Sequence, residues 1–580
     1  MAGNMEEGYR NFSVAIYCQV RDVLQMADNK WLEETYRFIN KYIKFKKVYL
    51  ETYRDDLIPK KGDLLNIKDF FEKKGIKASG GIAFVRREGG LSRTFCYTNP
   101  QELEMLKNIV LFTAEVFDEI ILDDWFFTNC RCRLCTEAKG DLSWTEYRLR
   151  RLEEVARDYI IKPAKSVNPK LKLIIKYPNW YEHYQALGYN LDVETKIFDS
   201  IYTGTETRDP KYTQQHLQEY QSYLIMRYLE NAGPSRNEGG WVDPYARGHL
   251  DRWVEQIQLT LFAKPREITL YCWGSLFETV KMDDGSEKYV SYVAPTAGTA
   301  FEETDLFMGK LGAPVGVPSY KPFNSSGEDF IHNYIGMLGI PLDLTPRFPE
   351  NSGTVFLAES ACHDPKIIGK IKDYLRGGKT LIVTSGLLKA LQDHGFKDIV
   401  EIDCTERKIP VKEFMLFMDS YRARREIVVP ELKYYTNDAW ELVSGLSGSN
   451  GYPLLLQARY DEGTIYVLSV PDNFSDLYHL PKEVLRVMRE IFMREFEVVL
   501  DSPSKICLFL YDNRTFIVKS FLPHATRLEI VVKKRDAKLS NALPRAERYF
   551  REFVYTIREE NRTIFQTALM PHSHLVYKIE

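Results

Sequence analysis

The residues best suited to do chemistry in this sequence lie between Glu119 and Cys135. A short apolar run at 120–122 ends in two adjacent carboxylates, Asp123 and Asp124, and three cysteines follow within a dozen residues. A buried strand with acids at its end and thiols in the next loop is the arrangement expected at the active-site end of a barrel strand in an enzyme. The alternative is that the two acids only cap the next helix.

The three cysteines are Cys130, Cys132 and Cys135, and their spacing indicates a structural zinc site. A closed tetrahedral site needs a fourth ligand, and Cys96 is the best candidate because it follows the predicted third strand on the same barrel face. Four thiolates leave no open position on the metal, so we expect a structural zinc and no catalytic role for it. The alternative is a loop that carries free thiols.

Eight strands must position these residues, because short β-rich runs alternate with helical segments from about residue 12 to residue 280. The predicted strands are Val14–Cys18, Val48–Tyr53, Ala78–Val85, the run at Glu119, Leu171–Tyr177, Phe198–Glu206, Gly239–Pro244 and Ile268–Trp273. Eight β/α units in under 300 residues match the count and size of a TIM (β/α)8 barrel. A doubly wound open sheet is the alternative, but no glycine-rich phosphate turn follows the first strand.

The carboxyl ends of barrel strands meet on one face, so the side chains at these ends are predicted to converge. They are Glu51, Asp123, Asp124, Lys176, Asn179, Glu206, Arg208, Asp243 and Trp273. We call this face, where the carboxyl ends of the strands meet, the mouth of the barrel. Several acids at the mouth, with aromatic residues and few hydroxyl nucleophiles, favour the two-carboxylate chemistry that cleaves a glycosidic bond.

The leading catalytic pair is Asp124, or its neighbour Asp123, together with Glu206 on the sixth strand. One carboxyl protonates the leaving oxygen, and the other attacks the sugar or activates water. Asp243, at the end of the seventh strand, is the rival second carboxylate. Any single acid can instead be an ion-pair partner of a lysine or arginine in the same ring.

We expect the mouth to bind substrate through the residues around these carboxylates. The predicted substrate-binding residues are Glu51, Arg54, Lys176, Tyr177, Asn179, Trp180, Arg208, Trp241 and Trp273. Among the tryptophans, stacking on a sugar is favoured only for Trp273, since each of them is also an ordinary packing residue at a barrel end.

The strand–helix pattern restarts after a linker-like stretch at 281–318, and it predicts a flavodoxin-like α/β domain. The last 85 or so residues predict a small antiparallel β-sandwich. We therefore expect a TIM-barrel catalytic domain at 1–310, the flavodoxin-like domain at 311–495 and the β-sandwich at 496–580. Cys362 follows a strand of the middle domain, where class I amidotransferases place their nucleophile, but the flanking glycines of that elbow are absent.

The composition excludes some classes of function. The chain has 78 Lys and Arg against 81 Asp and Glu, a balance unsuited to holding a nucleic-acid backbone. No apolar run approaches the roughly 18 residues needed to span a membrane, and the N-terminus has no secretory pattern. Nine thinly spread cysteines predict a reducing compartment. We therefore expect a cytoplasmic protein without nucleic-acid or membrane partners and without an organic cofactor.

Taken together, these features resemble the family-42 glycoside hydrolases, which are β-galactosidases with a TIM barrel, an amidotransferase-like trimerisation domain and a small C-terminal β domain. The cysteines carry the most specific part of the resemblance. That family binds a structural zinc through one Cys after strand three and a Cys-x-Cys-x-x-Cys after strand four, which matches Cys96, Cys130, Cys132 and Cys135. The resemblance also implies a homo-oligomer, most simply a trimer, with the middle domain at the interface.

The catalytic positions depart from the family's pattern. Family members carry Asn-Glu at the end of strand four, with Glu as acid/base, and here Asp123-Asp124 stands in that place. Their nucleophile is a Glu on strand seven, where this chain offers Asp243. A nucleophile on strand four with an acid/base on strand six also occurs in α-glycosidase barrels, and that arrangement uses Asp124 and Glu206. The resemblance is therefore to a divergent relative.

The sequence predicts an exo-acting glycoside hydrolase that removes a terminal sugar from an oligosaccharide or glycoside. The first alternative is a non-catalytic sugar-binding relative that kept the barrel and lost the chemistry. The second is a Cys362-dependent amidohydrolase.

Overall fold

The computed structural model of the 580-residue chain describes residues 8–213, 215–245, 249–283, 285, 287–435, 438–543 and 554–580. The chain divides into two compact units, Met1–Gly309 and Lys310–Glu580. Among the described residues, no helix combines the length and the apolar character needed to cross a membrane.

The first unit is a closed barrel of eight parallel strands. They are β1 Ser13–Cys18, β2 Lys47–Tyr53, β3 Lys77–Ile82, β4 Glu119–Leu122, β5 Lys172–Tyr177, β6 Ser200–Gly204, β7 Asn237–Val242 and β8 Glu267–Tyr271. Each strand pairs in parallel with the next along the chain, and β1 closes the ring by pairing with β8. The predicted TIM barrel is confirmed, and seven of the eight predicted strands keep their extent to within two residues at either end.

Helices and two hairpins surround the barrel. The helices are Val20–Met26, Asn29–Asn40, Lys61–Glu72, Pro100–Ala114, Arg133–Lys139, Trp144–Val155, Lys162–Val167, Tyr184–Leu187, Leu191–Ile197, Gln221–Ala232, Leu250–Phe262 and Val293–Met308, with a π-helical turn at Ala156–Ile161. The hairpins pair Val85–Glu88 with Leu91–Thr94 and Glu278–Lys281 with Glu287–Val290. The predicted third strand was too long, because it ends at Ile82 and the first hairpin begins at Val85.

The inside of the barrel is filled by side chains, as alternation along the strands requires. The buried interior cluster contains Ala15, Tyr17, Tyr49, Ile121, Ile174, Tyr202 and Trp241. The ring centroids of Tyr17 and Trp241 lie 4.8 Å apart. This packed interior forms the floor beneath the carboxyl ends of the strands, so a substrate can reach those ends only from the mouth side.

The second unit begins with five parallel strands of a flavodoxin-like sheet. They are β9 Val317–Tyr320, β10 Leu342–Thr345, β11 Thr354–Leu357, β12 Thr380–Thr384 and, after an insertion, Gly463–Leu468. Their order in the sheet is 2-1-3-4-5, the order of flavodoxin-like folds. The helices of this region are Ile331–Met337, Ile367–Arg376, Ser385–Leu391 and Lys482–Phe492.

Four antiparallel strands extend this sheet at residues 402–460, and the sequence analysis assigned no strands there. They are Ile402–Leu416, Asp419–Tyr434, Ala439–Ser447 and Asn450–Tyr460. The remaining strands form two sheets of the small C-terminal β domain. One contains Pro314–Val315, Ile506–Tyr511, Thr515–Ser520, His574–Ile579 and Leu539–Asn541, and the other contains Val498–Asp501, Thr526–Val532, Thr563–Leu569 and Tyr555–Arg558.

Candidate active site

The carboxyl ends of the barrel strands bring together most of the predicted site residues. Glu51 lies near the end of β2, Asp123 and Asp124 directly follow β4, Lys176 is the penultimate residue of β5, and Glu206 comes two residues after β6. These positions are dispersed over some 150 residues of sequence, and only the closed barrel makes them neighbours.

The Lys176 ammonium is the centre of this cluster. Its Nζ lies 2.9 Å from Glu206 Oε1, 3.5 Å from Asp123 Oδ1 and 3.6 Å from Asp124 Oδ2. The lysine side chain is only 2% exposed, and its Nζ lies 4.6 Å from the centroid of the Trp241 ring. Trp241 therefore supports the ammonium from below while three carboxylates surround it.

The shared ammonium also limits the distance between the leading pair of carboxylates. Because Asp124 Oδ2 lies 3.6 Å and Glu206 Oε1 lies 2.9 Å from the same nitrogen, these two oxygens are no more than about 6.5 Å apart. Carboxyl separations of about 5–5.5 Å accompany retention of configuration in glycosidases, and about 6.5–9.5 Å accompany inversion. The limit applies to one oxygen of each carboxyl, and it is compatible with the separation found in retaining enzymes.

Asp124 and Glu206 differ in their access to solvent. The Asp124 side chain is 35% exposed, and its Oδ1 has no hydrogen-bond partner among the described residues. Glu206 is 6% exposed, and Gly204 makes room for it, since a Cβ at Gly204 would lie 2.6 Å from Glu206 Oε2. Tyr189 donates a 2.9 Å hydrogen bond to the backbone oxygen of Asp124 and so holds the loop after β4 in place.

Burial and neighbouring charges shift the protonation of the cluster. Burial raises the pKa of Glu206 to about 7, with Asp124 and Asp243 acting in the same direction and Lys176 opposing them. Burial also raises the pKa of Asp124, again against the effect of Lys176. For Lys176, burial lowers the pKa but the surrounding carboxylates outweigh it, and the net shift is upward. The lysine is therefore charged while one carboxyl can hold a proton near neutral pH.

A second network fixes Asp123 and Glu51. Arg54 donates from Nη2 to Asp123 Oδ2 at 2.6 Å and from Nε to Glu51 at 2.9 Å. Glu51 is fully buried and also accepts hydrogen bonds of 2.7 Å from the Tyr17 hydroxyl and from the Val20 backbone N–H. Arg54 thus links the end of β2 to the residue that follows β4, through Glu51 and Asp123.

Asp243 is held by Arg208 in a two-point ion pair. Arg208 donates from Nη2 to Asp243 Oδ2 at 2.6 Å and from Nε to Oδ1 at 3.1 Å, and the Tyr245 backbone N–H donates to Oδ1 at 3.1 Å. Arg208 has a φ of 55°, a left-handed conformation that costs free energy for a residue with a side chain. Asp243 therefore matches the ion-pair alternative that the sequence left open.

Of the other predicted substrate-binding residues, Asn179 and Trp180 lie at the mouth, whereas Trp241 lies beneath it. Asn179 lies in the mouth, where its Nδ2 donates to the Glu206 backbone oxygen at 2.5 Å and to Gln215 Oε1 at 2.9 Å. Trp180 is partly exposed and packs edge-on to Phe127 at 5.5 Å, so it is available at the rim. Trp241 is buried in the floor.

Tyr177 and Trp273 lie outside the mouth, contrary to the sequence-based expectation. Tyr177 follows Lys176 on β5, so its side chain points to the opposite face, where its hydroxyl donates to Glu194 at 3.1 Å. Trp273 is fully buried, its Nε1 donates to Thr35 Oγ1 at 3.2 Å, and its ring packs edge-on against Phe45. Trp273 is therefore a packing residue in this structure and cannot stack on a sugar at the mouth.

Sequence reasoning missed several aromatic and polar residues of the mouth. Tyr17 ends the interior face of β1, Tyr271 ends β8, and Gln19 donates to the Tyr271 hydroxyl. Tyr245 stands edge-on to Tyr271 at 6.1 Å and is partly exposed. Inward alternation along β1 and β8 was a usable signal for the two strand tyrosines, whereas the loop residues carried none.

The four predicted metal-binding cysteines form one cluster that can bind a metal ion. The Sγ atoms of Cys96, Cys130, Cys132 and Cys135 all lie within 4.8 Å of one another. Cys96 Sγ lies 3.6 Å from both Cys132 Sγ and Cys135 Sγ. A tetrahedral ion with metal–sulfur bonds of about 2.3 Å places its sulfurs about 3.8 Å apart, so the thiols fit zinc in both number and spacing.

Arg148 supports a negatively charged centre at the cysteines. Its guanidinium is buried, and Nη1 donates to the Ala186 oxygen at 2.7 Å, but Nε and Nη2 have no hydrogen-bond partner within the described part of the chain. Burial lowers the pKa of Arg148, while Cys135 and Cys130 act in the opposite direction. A four-thiolate metal centre carries net negative charge and would compensate this buried cation.

Cys362 does not have the environment of an activated nucleophile. Its Sγ contacts His363 Nδ1 at 3.6 Å, but burial and the nearby Glu359 raise the pKa of the Cys362 thiol. A reactive cysteine needs a lowered pKa, because the thiolate is the attacking species. The amidohydrolase alternative therefore gains no support from the geometry.

Three family descriptions match successive parts of the chain. Residues 2–303, more than half of it, match the family described as "probable glycosyl hydrolase, catalytic domain". The chain belongs to this family. Residues 312–473 match the second domain of the uncharacterized protein SSO3021, and residues 497–579 match the "probable glycosyl hydrolase, C-terminal domain".

One curated relative spans nearly the whole chain. It is the uncharacterized protein SSO3021 of Saccharolobus solfataricus, which is 24% identical over 92% of this chain and 95% of its own. This relative brings no assigned activity.

Solved structures of glycosidases share the fold over the full length. A β-galactosidase from Bacillus circulans sp. alkalophilus superposes with a TM-score of 0.63 at 10% identity and covers 99% of both chains. A catalytic mutant of the GH42 β-galactosidase Gan42B from G. stearothermophilus gives 0.65 at 9% identity, over 98% of this chain and 99% of the other. The α-L-fucosidase isoenzyme 2 from Paenibacillus thiaminolyticus gives 0.62 at 12% identity, over 99% and 100%. At such identities the likeness concerns the fold, and it agrees with a divergent relative of the GH42 enzymes.

Proposed function

We propose that the protein is a retaining glycoside hydrolase that removes a terminal sugar, with Asp124 as nucleophile and Glu206 as acid/base. The observation that carries this proposal is the pair of carboxylates at the barrel mouth, which share one ammonium through oxygens no more than about 6.5 Å apart. Membership in a glycosyl hydrolase family supports the reaction class.

The two carboxyls suit different steps of the reaction. Glu206, whose pKa burial raises to about 7, donates its proton to the glycosidic oxygen as the bond to the sugar breaks. Asp124, whose side chain is 35% exposed, attacks the anomeric carbon and forms a glycosyl ester, while the alcohol departs. Glu206 then takes a proton from water, the water oxygen displaces Asp124, and the free sugar leaves with its original configuration.

Asp123 and Asp243 act in support in this proposal. Asp123 is paired with Arg54 and lies near Lys176, and Asp243 is paired with Arg208. Both carboxylates are occupied by guanidinium groups of the chain, so we assign neither of them to the bond-breaking step.

The charges of the mouth favour a neutral sugar as substrate. Arg54, Lys176 and Arg208 each already pair with carboxylates of the chain. A uronic acid or a sulfated sugar would therefore find no spare cation among these three residues and would add a negative charge beside Asp124.

A panel of nitrophenyl α- and β-glycosides tests the proposal. The panel includes β-galactosides and α-L-fucosides, because enzymes named for these sugars share the fold. We expect turnover of at least one neutral glycoside, no turnover of the matching glucuronide, and first-formed product with retained configuration by proton NMR. Binding of sugars without turnover of any glycoside would favour the non-catalytic, sugar-binding alternative.

We propose in addition that the cysteine cluster holds one structural zinc ion. The spacing of the four sulfurs and the buried Arg148 nitrogens without hydrogen-bond partners among the described residues support this. Zinc would tie the hairpin before Cys96 to the loop after Asp124, and its binding free energy would add to folding. Elemental analysis of protein kept away from chelators checks the stoichiometry, and less than a few tenths of an equivalent contradicts it. Cys132→Ser should lower the melting temperature.

The remaining proposals concern organisation. We propose domain bounds of 1–310, 311–495 and 496–580. The division between compact units at Gly309 and the starts of the family matches at 312 and 497 support these bounds. By its resemblance to family-42 enzymes the chain forms a homotrimer, and its thinly spread cysteines favour the cytoplasm. A monomeric mass by light scattering at micromolar concentration would contradict the trimer.

A further inference from the structure

We propose that Lys176 is a positioning residue that sets the spacing and the ionisation of the catalytic carboxylates. This inference rests on the proposed function, because it assigns Lys176 a role toward Asp124 and Glu206. It replaces the sequence-based expectation that Lys176 binds the substrate. Lys176 acts through the two carboxylates and does not touch the reacting atoms.

The location of the ammonium supports a positioning role. A lysine ammonium has three N–H donors, and three carboxylates, those of Glu206, Asp123 and Asp124, lie within 2.9–3.6 Å of Nζ. Trp241 closes the side facing the barrel interior at 4.6 Å. With 2% of its side chain exposed, Lys176 has no free direction in which to meet a sugar.

The other cations near the cluster already pair with carboxylates that lie outside the catalytic pair. Asp123 and Glu51 are balanced in part by Arg54, and Asp243 is balanced by Arg208, which also acts on Glu206 and Asp124. The phenols of Tyr184 and Tyr189 face Asp124 and stay neutral, because burial raises the pKa of both. Lys176 is the cation that contacts both members of the catalytic pair directly.

Two consequences follow from removing this charge. An opposite charge within 4–6 Å typically lowers a carboxyl pKa by about 1–3 units, so its loss should raise the pKa of both Asp124 and Glu206. Without the shared ammonium the two carboxylates would also repel and separate. A displacement of about 1 Å at a catalytic group can reduce the rate about 100-fold.

Lys47 offers a matched control at the other end of the same barrel. It also lies between two carboxylates, 3.2 Å from Glu119 and 2.9 Å from Glu267, and its Nζ lies 5.1 Å from the Tyr49 ring centroid. Its side chain is 12% exposed. Lys47→Gln therefore removes a buried cation from between carboxylates without touching the mouth.

The test compares Lys176→Gln, Lys176→Ala and Lys47→Gln on the best glycoside from the panel. We expect Lys176→Gln to lower kcat about 100-fold or more with little change in KM, and to move both limbs of the pH–rate profile upward by about one unit or more. Lys47→Gln should leave both limbs in place. A raised KM with kcat and both limbs unchanged would overturn the proposal in favour of substrate binding.

Two further measurements keep the proposal testable. Chemical rescue applies to a variant that has lost activity, and infrared spectroscopy applies if the panel yields no substrate. Propylammonium added to Lys176→Ala should restore the position of the pH limbs, whereas propanol should not; equal effects of the two would overturn the proposal. Infrared difference spectra between about pH 5 and 9 follow carboxyl protonation without any substrate. Upward-shifted carboxyl titration in Lys176→Gln together with an inactive wild type would sustain the role of Lys176 and refute the glycosidase. Unshifted carboxyl titration in Lys176→Gln together with an active wild type would overturn the role of Lys176 and sustain the glycosidase.

Discussion

The two ends of the barrel each bury a lysine among carboxylates, yet the pKa of the buried glutamate shifts in opposite directions at the two ends. At the amino end of the strands, Glu119 meets Lys47 at 3.2 Å, Lys77 at 2.8 Å and Lys172 at 3.7 Å. The lysines overcome the effect of burial and lower the pKa of Glu119 to about 2. At the carboxyl end a single lysine faces three acids, and burial raises the pKa of Glu206 to about 7.

The number of cations that contact each acid explains this difference. Three lysines contact Glu119, although Lys47 and Lys172 also pair with Glu267 and Glu238, and there the ionised carboxylate stabilises the folded state. Where acids outnumber the cation, one of them retains a proton, which stabilises nothing but supplies an acid for catalysis. Glu119 at the amino end therefore contributes to stability, and Glu206 at the carboxyl end contributes to the proposed reactivity. Substitutions at each end test these two roles separately.

The largest expected effect comes from the catalytic pair. Glu206→Gln and Asp124→Asn should each lower kcat by about a thousandfold or more, because each removes a separate part of the bond-breaking chemistry. The folded state should keep its stability, since an ionised Glu206 is unfavourable where it is buried. Steady-state kinetics and thermal melts at pH 8 measure both quantities. Turnover within tenfold of wild type would exclude the residue concerned from catalysis.

The next effect should fall on stability at the other end. Glu119→Gln leaves three lysines with one partner fewer, and we expect it to lower the free energy of unfolding by about 3 kcal/mol without changing kcat. Its folded pKa lies below its unfolded value of about 4.3, so its stabilisation is complete above that pH and is lost as the pH falls toward 2. Denaturant melts of both proteins should therefore converge in acid. A constant difference down to about pH 2 would contradict this.

The pH dependence of activity gives a smaller but diagnostic effect. Since Glu206 must be protonated to act as acid and its pKa is about 7, kcat/KM should fall about tenfold for each pH unit above 7. Asp124 must be ionised, and burial raises its pKa, so the acidic limb should lie above the ordinary aspartate value of about 3.9. A profile flat to pH 9 would remove Glu206 from the role of acid.

The smallest effect is expected for Asp243→Asn. This change weakens the ion pair with Arg208, and we expect kcat to fall by no more than about tenfold. The variant separates the pair proposed here from the family-42 arrangement of strands four and seven. If Asp243→Asn abolishes turnover while Glu206→Gln leaves it nearly normal, the strand-seven acid is the partner of strand four.

The sequence predicted the barrel well because most strands contain a short run of apolar or β-branched residues and alternate with helical segments. It also predicted the approach of Asp123, Asp124, Lys176 and Glu206, since barrel closure alone makes strand ends neighbours. It failed for Tyr177 because two consecutive strand residues cannot face the same side. It failed for Trp273 because the chain turns away after Tyr271, and no local signal marks that turn.

Other features required contacts between distant residues. The pairing of Arg208 with Asp243 decides which acid is occupied, and the left-handed backbone of Arg208 that permits it is not evident from residue type. The strands at 402–460 were missed because exposed charged residues interrupt their apolar positions, as in Arg407-Lys408-Ile409. Strands with one solvent-facing side carry a weaker sequence signal than the buried strands of the barrel.

The glycine at position 204 has a consequence for the proposed activity of this site. A single methyl group there would meet Glu206 Oε2 at 2.6 Å and force that carboxylate out of its place, with every charged residue of the mouth still encoded. Under the proposed function, one substitution at this position would abolish turnover while leaving the sugar-binding residues in place. The same substitution, Gly204→Ala, offers a way to trap an intact glycoside in a crystal.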